Sequence, residues 1–100
     1  MEENDIVRDS AIQRFEFTYD IFWKMLKSFL EEKHGVHCVS PKTCFMEAGT
    51  KGVLSSEVWI KITDLRNQTV HTYDEKIAKS VYQKLPEILI EFKKMSDVVG

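Results

Sequence analysis

The segment Ala11-Ile12-Gln13-Arg14-Phe15-Glu16-Phe17-Thr18-Tyr19-Asp20-Ile21-Phe22-Trp23-Lys24-Met25-Leu26 decides the fold class. Ala11, Phe15, Tyr19, Phe22, Leu26, Phe29 and Leu30 recur every three or four positions, the period of a helix with one buried face. Ile12, Trp23 and Met25 widen that face. The pattern predicts a helix from about Val7 to Lys33, with Asp5 as its N-cap and Gly35 ending it. That is a long helix for a chain of 100 residues.

Downstream, Ser40-Pro41 is a helix start, the serine as N-cap and the proline in the first turn. A short helix should follow to about Ala48, then a loop framed by Gly49 and Gly52. Ser55 or Ser56 caps the next helix, with Glu57 in its first turn. Its stripe is Val58, Trp59, Ile62, Leu65 and Thr69. The periodicity lapses from Val70 to Tyr73. Asp74 then caps a last helix carrying Ile77, Val81, Leu85, Ile88, Phe92 and Met95 on one face. Pro86 should kink that helix or divide it near Leu85. No segment reads as a strand, a repeat or a linker. The expectation is an all-α fold, a helical bundle of three main helices and a short one, in one domain over residues 1–100.

Composition agrees. The chain is 43% hydrophobic and 11% aromatic with four glycines and two prolines, which excludes a disordered tail or a low-complexity linker. Lys and Arg number 14 against 16 Asp and Glu, so a non-specific duplex binder is not expected. Any contact with RNA or a nucleotide would have to be local. No run approaches the ~18 apolar residues of a membrane span. The acidic opening Met-Glu-Glu-Asn-Asp is wrong for a signal peptide. Cys38 and Cys44 are too few and too close for a disulfide scaffold. The expected compartment is the cytoplasm.

Chemistry-bearing residues gather where the third stripe ends: Arg66-Asn67-Gln68-Thr69-Val70-His71-Thr72-Tyr73-Asp74-Glu75. On an ideal helix Asn67 and His71 share a face, with Arg66 about 100° away. A neutral imidazole can take the proton of a ribose 2′-OH, and a guanidinium can stabilise charge building on phosphorus. Spacing alone favours the plainer reading, a surface helix end whose cations and amide satisfy local carbonyls and water. His34, His37, Cys38 and Cys44 are four potential metal ligands, but their spacing matches no common zinc frame. No metal or cofactor is expected. Glu16, Asp20, Glu31 and Glu32 read as solvated carboxylates that aid solubility and helix pairing. Arg8, Asp9 and Arg14 flank the most apolar stretch of the first helix. A Gly-rich phosphate loop, a G-x-S-x-G motif and a Cys-His nucleophile pair in a sensible context are all missing.

The block Arg8-Asp9-Ser10-Ala11-Ile12-Gln13-Arg14-Phe15-Glu16-Phe17-Thr18 resembles the first block of the nucleotidyltransferase substrate-binding proteins, a branch of the HEPN superfamily. Ser40-Pro41-Lys42 and Trp59 fit the same layout. Arg66-Asn67, three residues, His71 and Thr72-Tyr73 match its strongest motif. The resemblance spans Arg8 to about Phe92. It implies an up-and-down antiparallel four-helix bundle that forms a homodimer or hetero-oligomer and partners a minimal nucleotidyltransferase, in the manner of the HepT-type toxins of toxin–antitoxin pairs. It further implies that Arg66 and His71 form a metal-independent endoribonuclease site across a dimer. Asn67 would shape the pocket, with Arg8 and Arg14 as further substrate contacts. Tyr73 would be the residue that receives AMP. Two departures stand out. Leu65 replaces an acidic residue common among relatives. The helix that usually precedes the Arg-Asp block is expected to be missing or shortened, leaving apolar surface on the first long helix for a partner to cover. A shortened, inactive member of the family is the remaining reading.

Overall fold

The computed structural model describes residues 3–99, and among them every regular element is helical. Helix α1 spans Glu3–His34, α2 Pro41–Thr50, α3 Ser56–Gln68 and α4 Glu75–Val99, with a single 3-10 turn, Thr69–His71, between the last two. Helix α1 has 32 residues. At ~1.5 Å per residue it runs the full 48 Å long axis of the molecule. The main packing pairs are α1 with α4 and α2 with α3.

Local chemistry explains the boundaries. Gly35 ends α1 at φ +64°, a left-handed conformation that costs a residue without Cβ almost nothing. Ser40 and Thr43 form a reciprocal capping box at the start of α2, with Pro41 in the first turn. Ser55 Oγ accepts from the Val58 N–H and caps α3. Asp74 Oδ1 accepts from the Lys76 N–H at 2.9 Å and caps α4.

Three boundary expectations need correction. Helix α1 begins at Glu3, so Asp5 lies inside its first turns, where it pairs with Arg8 at 3.5 Å rather than capping. Helix α2 continues two residues past Ala48 to Thr50. Helix α4 is one helix through Pro86, so the proline does not divide it near Leu85. The surrounding ladder and the burial of Leu85, Ile88 and Phe92 on either side outweigh the one hydrogen bond that a proline removes.

Most of the core comes from the expected stripes, joined by Phe45 and Ala48 of α2, for which no stripe is read. Ile12, Phe15, Tyr19, Leu26 and Leu30 of α1 meet Phe45 of α2, Trp59, Ile62 and Leu65 of α3, and Val81, Ile88 and Phe92 of α4. Phe92 touches three aromatic rings, stacking on Phe22 with centroids 5.1 Å apart and packing against Phe15 and Trp59. Tyr19, near mid-helix, is buried, and its Oη lies 2.6 Å from Thr63 Oγ1. Thr63 spends its own proton on the Trp59 carbonyl, so Tyr19 is the donor. Ile6, Val7, Phe17, Ile21 and Met25 of α1 are exposed, so Met25 does not widen the core face.

Cys38 and Cys44 form a disulfide that staples the loop before α2 to its first turns. It joins positions six apart and is one local clip, not a scaffold between distant elements. With both sulfurs in that bond, the cluster around it keeps only His34 and His37, and His37 is engaged with Glu31 at 2.7 Å. Among the described residues no three potential ligands converge on a metal position. Nor, among those residues, is any helix long and apolar enough to cross a membrane.

Candidate functional site

Arg66 sits in the last turn of α3, where the chain tightens into the 3-10 turn. Its guanidinium is held by three side chains. Nη2 and Nε approach the two carboxylate oxygens of Asp20 at 3.3 and 3.5 Å. Nη1 lies 3.3 Å from Glu16 Oε2 and donates to Thr69 Oγ1 at 3.0 Å. Thr69 Oγ1 in turn donates to the Arg66 carbonyl, closing a local ring. The side chain is 22% exposed, so it is anchored yet reachable.

Glu16 and Asp20 are the residues that sequence reasoning underrated. Four apart on α1, they share a face and together grip a cation brought in by α3. Their spacing was the visible signal; its partner could not be read without knowing how α1 and α3 pack.

Asn67 is exposed beside Arg66 and lines the same groove, of about 350 Å³, with Tyr19, Asp20, Trp23 and Lys42. Lys42 Nζ is 3.1 Å from Asp64. His71 closes the 3-10 turn, and its carbonyl accepts from the Asp74 N–H. Its imidazole is exposed and meets the Tyr73 ring edge-on, with centroids 6.1 Å apart. Tyr73 itself is 86% exposed. Arg8 reaches the same end of the molecule, its Nη1 lying 3.4 Å from Glu75 at the start of α4. Arg14 is exposed on α1 and, among the described residues, makes no side-chain ion pair or hydrogen bond.

The candidate residues thus fall into two subsets. Arg66 and Asn67 belong to the groove between α1, α2 and α3. His71, Tyr73 and Arg8 gather around the turn that enters α4. Thr69 bridges the subsets, bonding to Arg66 on one side and accepting from Thr72 Oγ1 through its carbonyl on the other. Among the described residues no hydrogen bond joins the side chains of Arg66 and His71; the Arg66 guanidinium is engaged with Glu16, Asp20 and Thr69.

The model of the family described as "Nucleotidyltransferase substrate binding protein like" matches residues 1–99. The chain belongs to this family. The nucleotidyltransferase substrate-binding family is HEPN-like, and its all-α bundle is the fold found here. A protein of Haemophilus influenzae (strain Rd) named "Probable ribonuclease HepT" is 35% identical over 95 residues. That match takes in 86% of this chain, which spans 65% of the relative's length. A crystal structure of a Thermus thermophilus protein superposes with a TM-score of 0.89 at 36% identity, covering 92% of this chain and 80% of that one.

Proposed function

We propose that this chain is the HEPN-like partner of a minimal nucleotidyltransferase, acting in the cytoplasm as half of a toxin–antitoxin pair, with Tyr73 as its AMP acceptor. The observation that carries the reading is the setting of Tyr73, 86% exposed on the turn before α4 and against His71. A partner enzyme can reach that phenol without moving any helix. The phenol oxygen attacks the α-phosphorus of ATP and the new P–O bond forms as the bond to the β-phosphate oxygen breaks. Pyrophosphate leaves, and the phenol proton passes to a base or water. The product carries a bulky anionic diester beside His71, which repels an incoming RNA phosphate. The test is the intact mass after incubation with such a nucleotidyltransferase and ATP. One added adenylyl group on the wild type and none on Tyr73→Phe is expected. An equal gain on Tyr73→Phe would place the acceptor elsewhere.

The relative named probable ribonuclease HepT favours a second, compatible reading: metal-independent endoribonuclease activity through Arg66 and His71. His71 as a neutral imidazole would take the ribose 2′-OH proton while the 2′-oxygen attacks phosphorus. Arg66 would stabilise the charge on the phosphorane-like transition state, and the 5′-oxygen would leave with a proton. With the Arg66 guanidinium held by Glu16, Asp20 and Thr69 of its own chain, this reading calls on a homodimer to set one chain's Arg66 against the other's His71. Growth arrest on expression, relieved by Arg66→Ala and by His71→Ala, is the expected result. Equal toxicity of all three proteins would remove the catalytic assignment.

A further inference from the structure

The groove beside Arg66 and Asn67 has one wall that neither AMP transfer nor the Arg66/His71 chemistry uses, the indole of Trp23. Phe15, Tyr19, Phe22, Phe45, Trp59 and Phe92 form one connected network of ring contacts. Among the described residues Trp23 joins no ring pair, although it is half-buried and packs on the core. Its indole is therefore held at the edge of the core while it forms part of the groove wall. Asn67, on the same groove, is exposed, and its amide has no hydrogen-bond partner among the described residues.

The charges of the groove argue against a simple anion site. Lys42 is already 3.1 Å from Asp64, and Arg66 already holds Glu16 and Asp20. Cations that already hold carboxylates give a ground-state phosphate little net attraction. What stays open is an aromatic wall, an amide with a donor and an acceptor side by side, and about 350 Å³ of space. Indole rings stack on bases whatever their identity, and an asparagine amide pairs with N6 and N7 of adenine in two hydrogen bonds.

We propose that this groove binds an adenine base, stacked on Trp23 and read by the Asn67 amide. The base belongs either to a single RNA strand or to a free adenine nucleotide, and the chemistry of the contact is the same. The site depends on neither cleavage nor AMP transfer.

The two tryptophans make the test direct. Trp59 is 2% exposed and sealed in the core, so a ligand in the groove quenches Trp23. The full chain is titrated with a short 2′-O-methyl oligoadenylate, with the matching oligocytidylate, and with AMP. The oligoadenylate is expected to quench the emission. Trp23→Phe, which keeps a stacking ring, should lose the quench while still binding dye-labelled oligoadenylate within about threefold. Asn67→Ala, an exposed position, should lose roughly tenfold of the preference for adenylate over cytidylate. Because the groove's cations are already paired, added salt should weaken binding only a few-fold. Quenching by AMP as strong as by the oligomer identifies the free nucleotide as the ligand, and quenching by the oligomer alone identifies a strand. No quench by either, a quench that survives Trp23→Phe, or an unchanged base preference in Asn67→Ala overturns the proposal. No nucleotidyltransferase is present and the oligomer cannot be cleaved, so failure here is separate from failure of the proposed function.

Discussion

Arg66 lies side-on against Asp20, Nη2 to Oδ2 at 3.3 Å and Nε to Oδ1 at 3.5 Å, across 46 residues of sequence. A two-point contact fixes the plane of a guanidinium as well as its position. Glu16 adds one contact to the remaining nitrogen at 3.3 Å. The long helix α1 thus presents a pair of carboxylates that fixes the residue proposed to meet RNA.

Asp20 contributes two contacts and Glu16 one, so their neutral isosteres should differ. The Asp20 side chain is 42% exposed, which limits the interaction to about 0.5–1 kcal/mol. Asp20→Asn is expected to lower the urea midpoint by that equivalent, and Glu16→Gln by less. A larger loss for Glu16→Gln would reverse the ranking that the geometry gives.

Burial of the Tyr19 hydroxyl raises its pKa above the ordinary 10.0. The folded state then holds the phenol proton more tightly than the unfolded chain does. The stability tied to this proton is complete below pH 10 and is lost as pH climbs from 10.0 towards the raised value. Denaturant melts of wild type and Tyr19→Phe should keep a constant gap at neutral pH, about 0.5–1.5 kcal/mol for the lost hydrogen bond. Above pH 10 the gap should narrow, because only the wild type has this proton to lose. A gap that widens there would contradict the assignment.

Gly49 marks a close approach of α2 to the start of α3. A Cβ built on it would meet Ser56 Cβ at 2.6 Å and Oγ at 2.8 Å. Gly49→Ala should therefore destabilise by about 1–3 kcal/mol through overpacking. Ser56→Ala in the same chain should not rescue it, since the Cβ remains, whereas Ser56→Gly should recover part of the loss. Thermal melts of the two double variants decide the matter.

The Cys38–Cys44 bond closes a short loop, and the chain-entropy relation gives it about 2 kcal/mol. Reduction with a dithiol should lower Tm by roughly 10 °C for a domain of this size. Cys38→Ala/Cys44→Ala should melt near the reduced wild type and show no response to the dithiol. Equal melting of oxidised and reduced wild type would mean the clip adds nothing to the fold.

Much of the architecture was legible because its signals are local. The Ser40-Pro41 start, the Gly35 stop, the Asp74 cap and the lapse at Val70–Tyr73 each depend on a few neighbouring residues, and each appears at its place. The stripes of α1, α3 and α4 together predicted most of the core for the same reason. What escaped was relational. That Glu16 and Asp20 grip Arg66, or that Cys38 bonds Cys44 where spacing argued only against a scaffold, depends on how elements and loops pack. Pro86 escaped differently: the local rule against interior proline is real, but tertiary packing around Leu85 and Ile88 carries α4 through it. The 3-10 turn Thr69–His71 was also hidden, and it replaces the ideal helix on which Asn67 and His71 were placed on one face.

The central claim is that Tyr73 and the Arg66/His71 pair form one controlled site. The most direct measurement is cleavage of a single-stranded RNA before and after AMP transfer has gone to completion. The wild type should cleave before transfer and stop after it, while Tyr73→Phe should cleave equally in both conditions and Arg66→Ala and His71→Ala in neither. A modified wild type that cleaves at the unmodified rate would contradict the account.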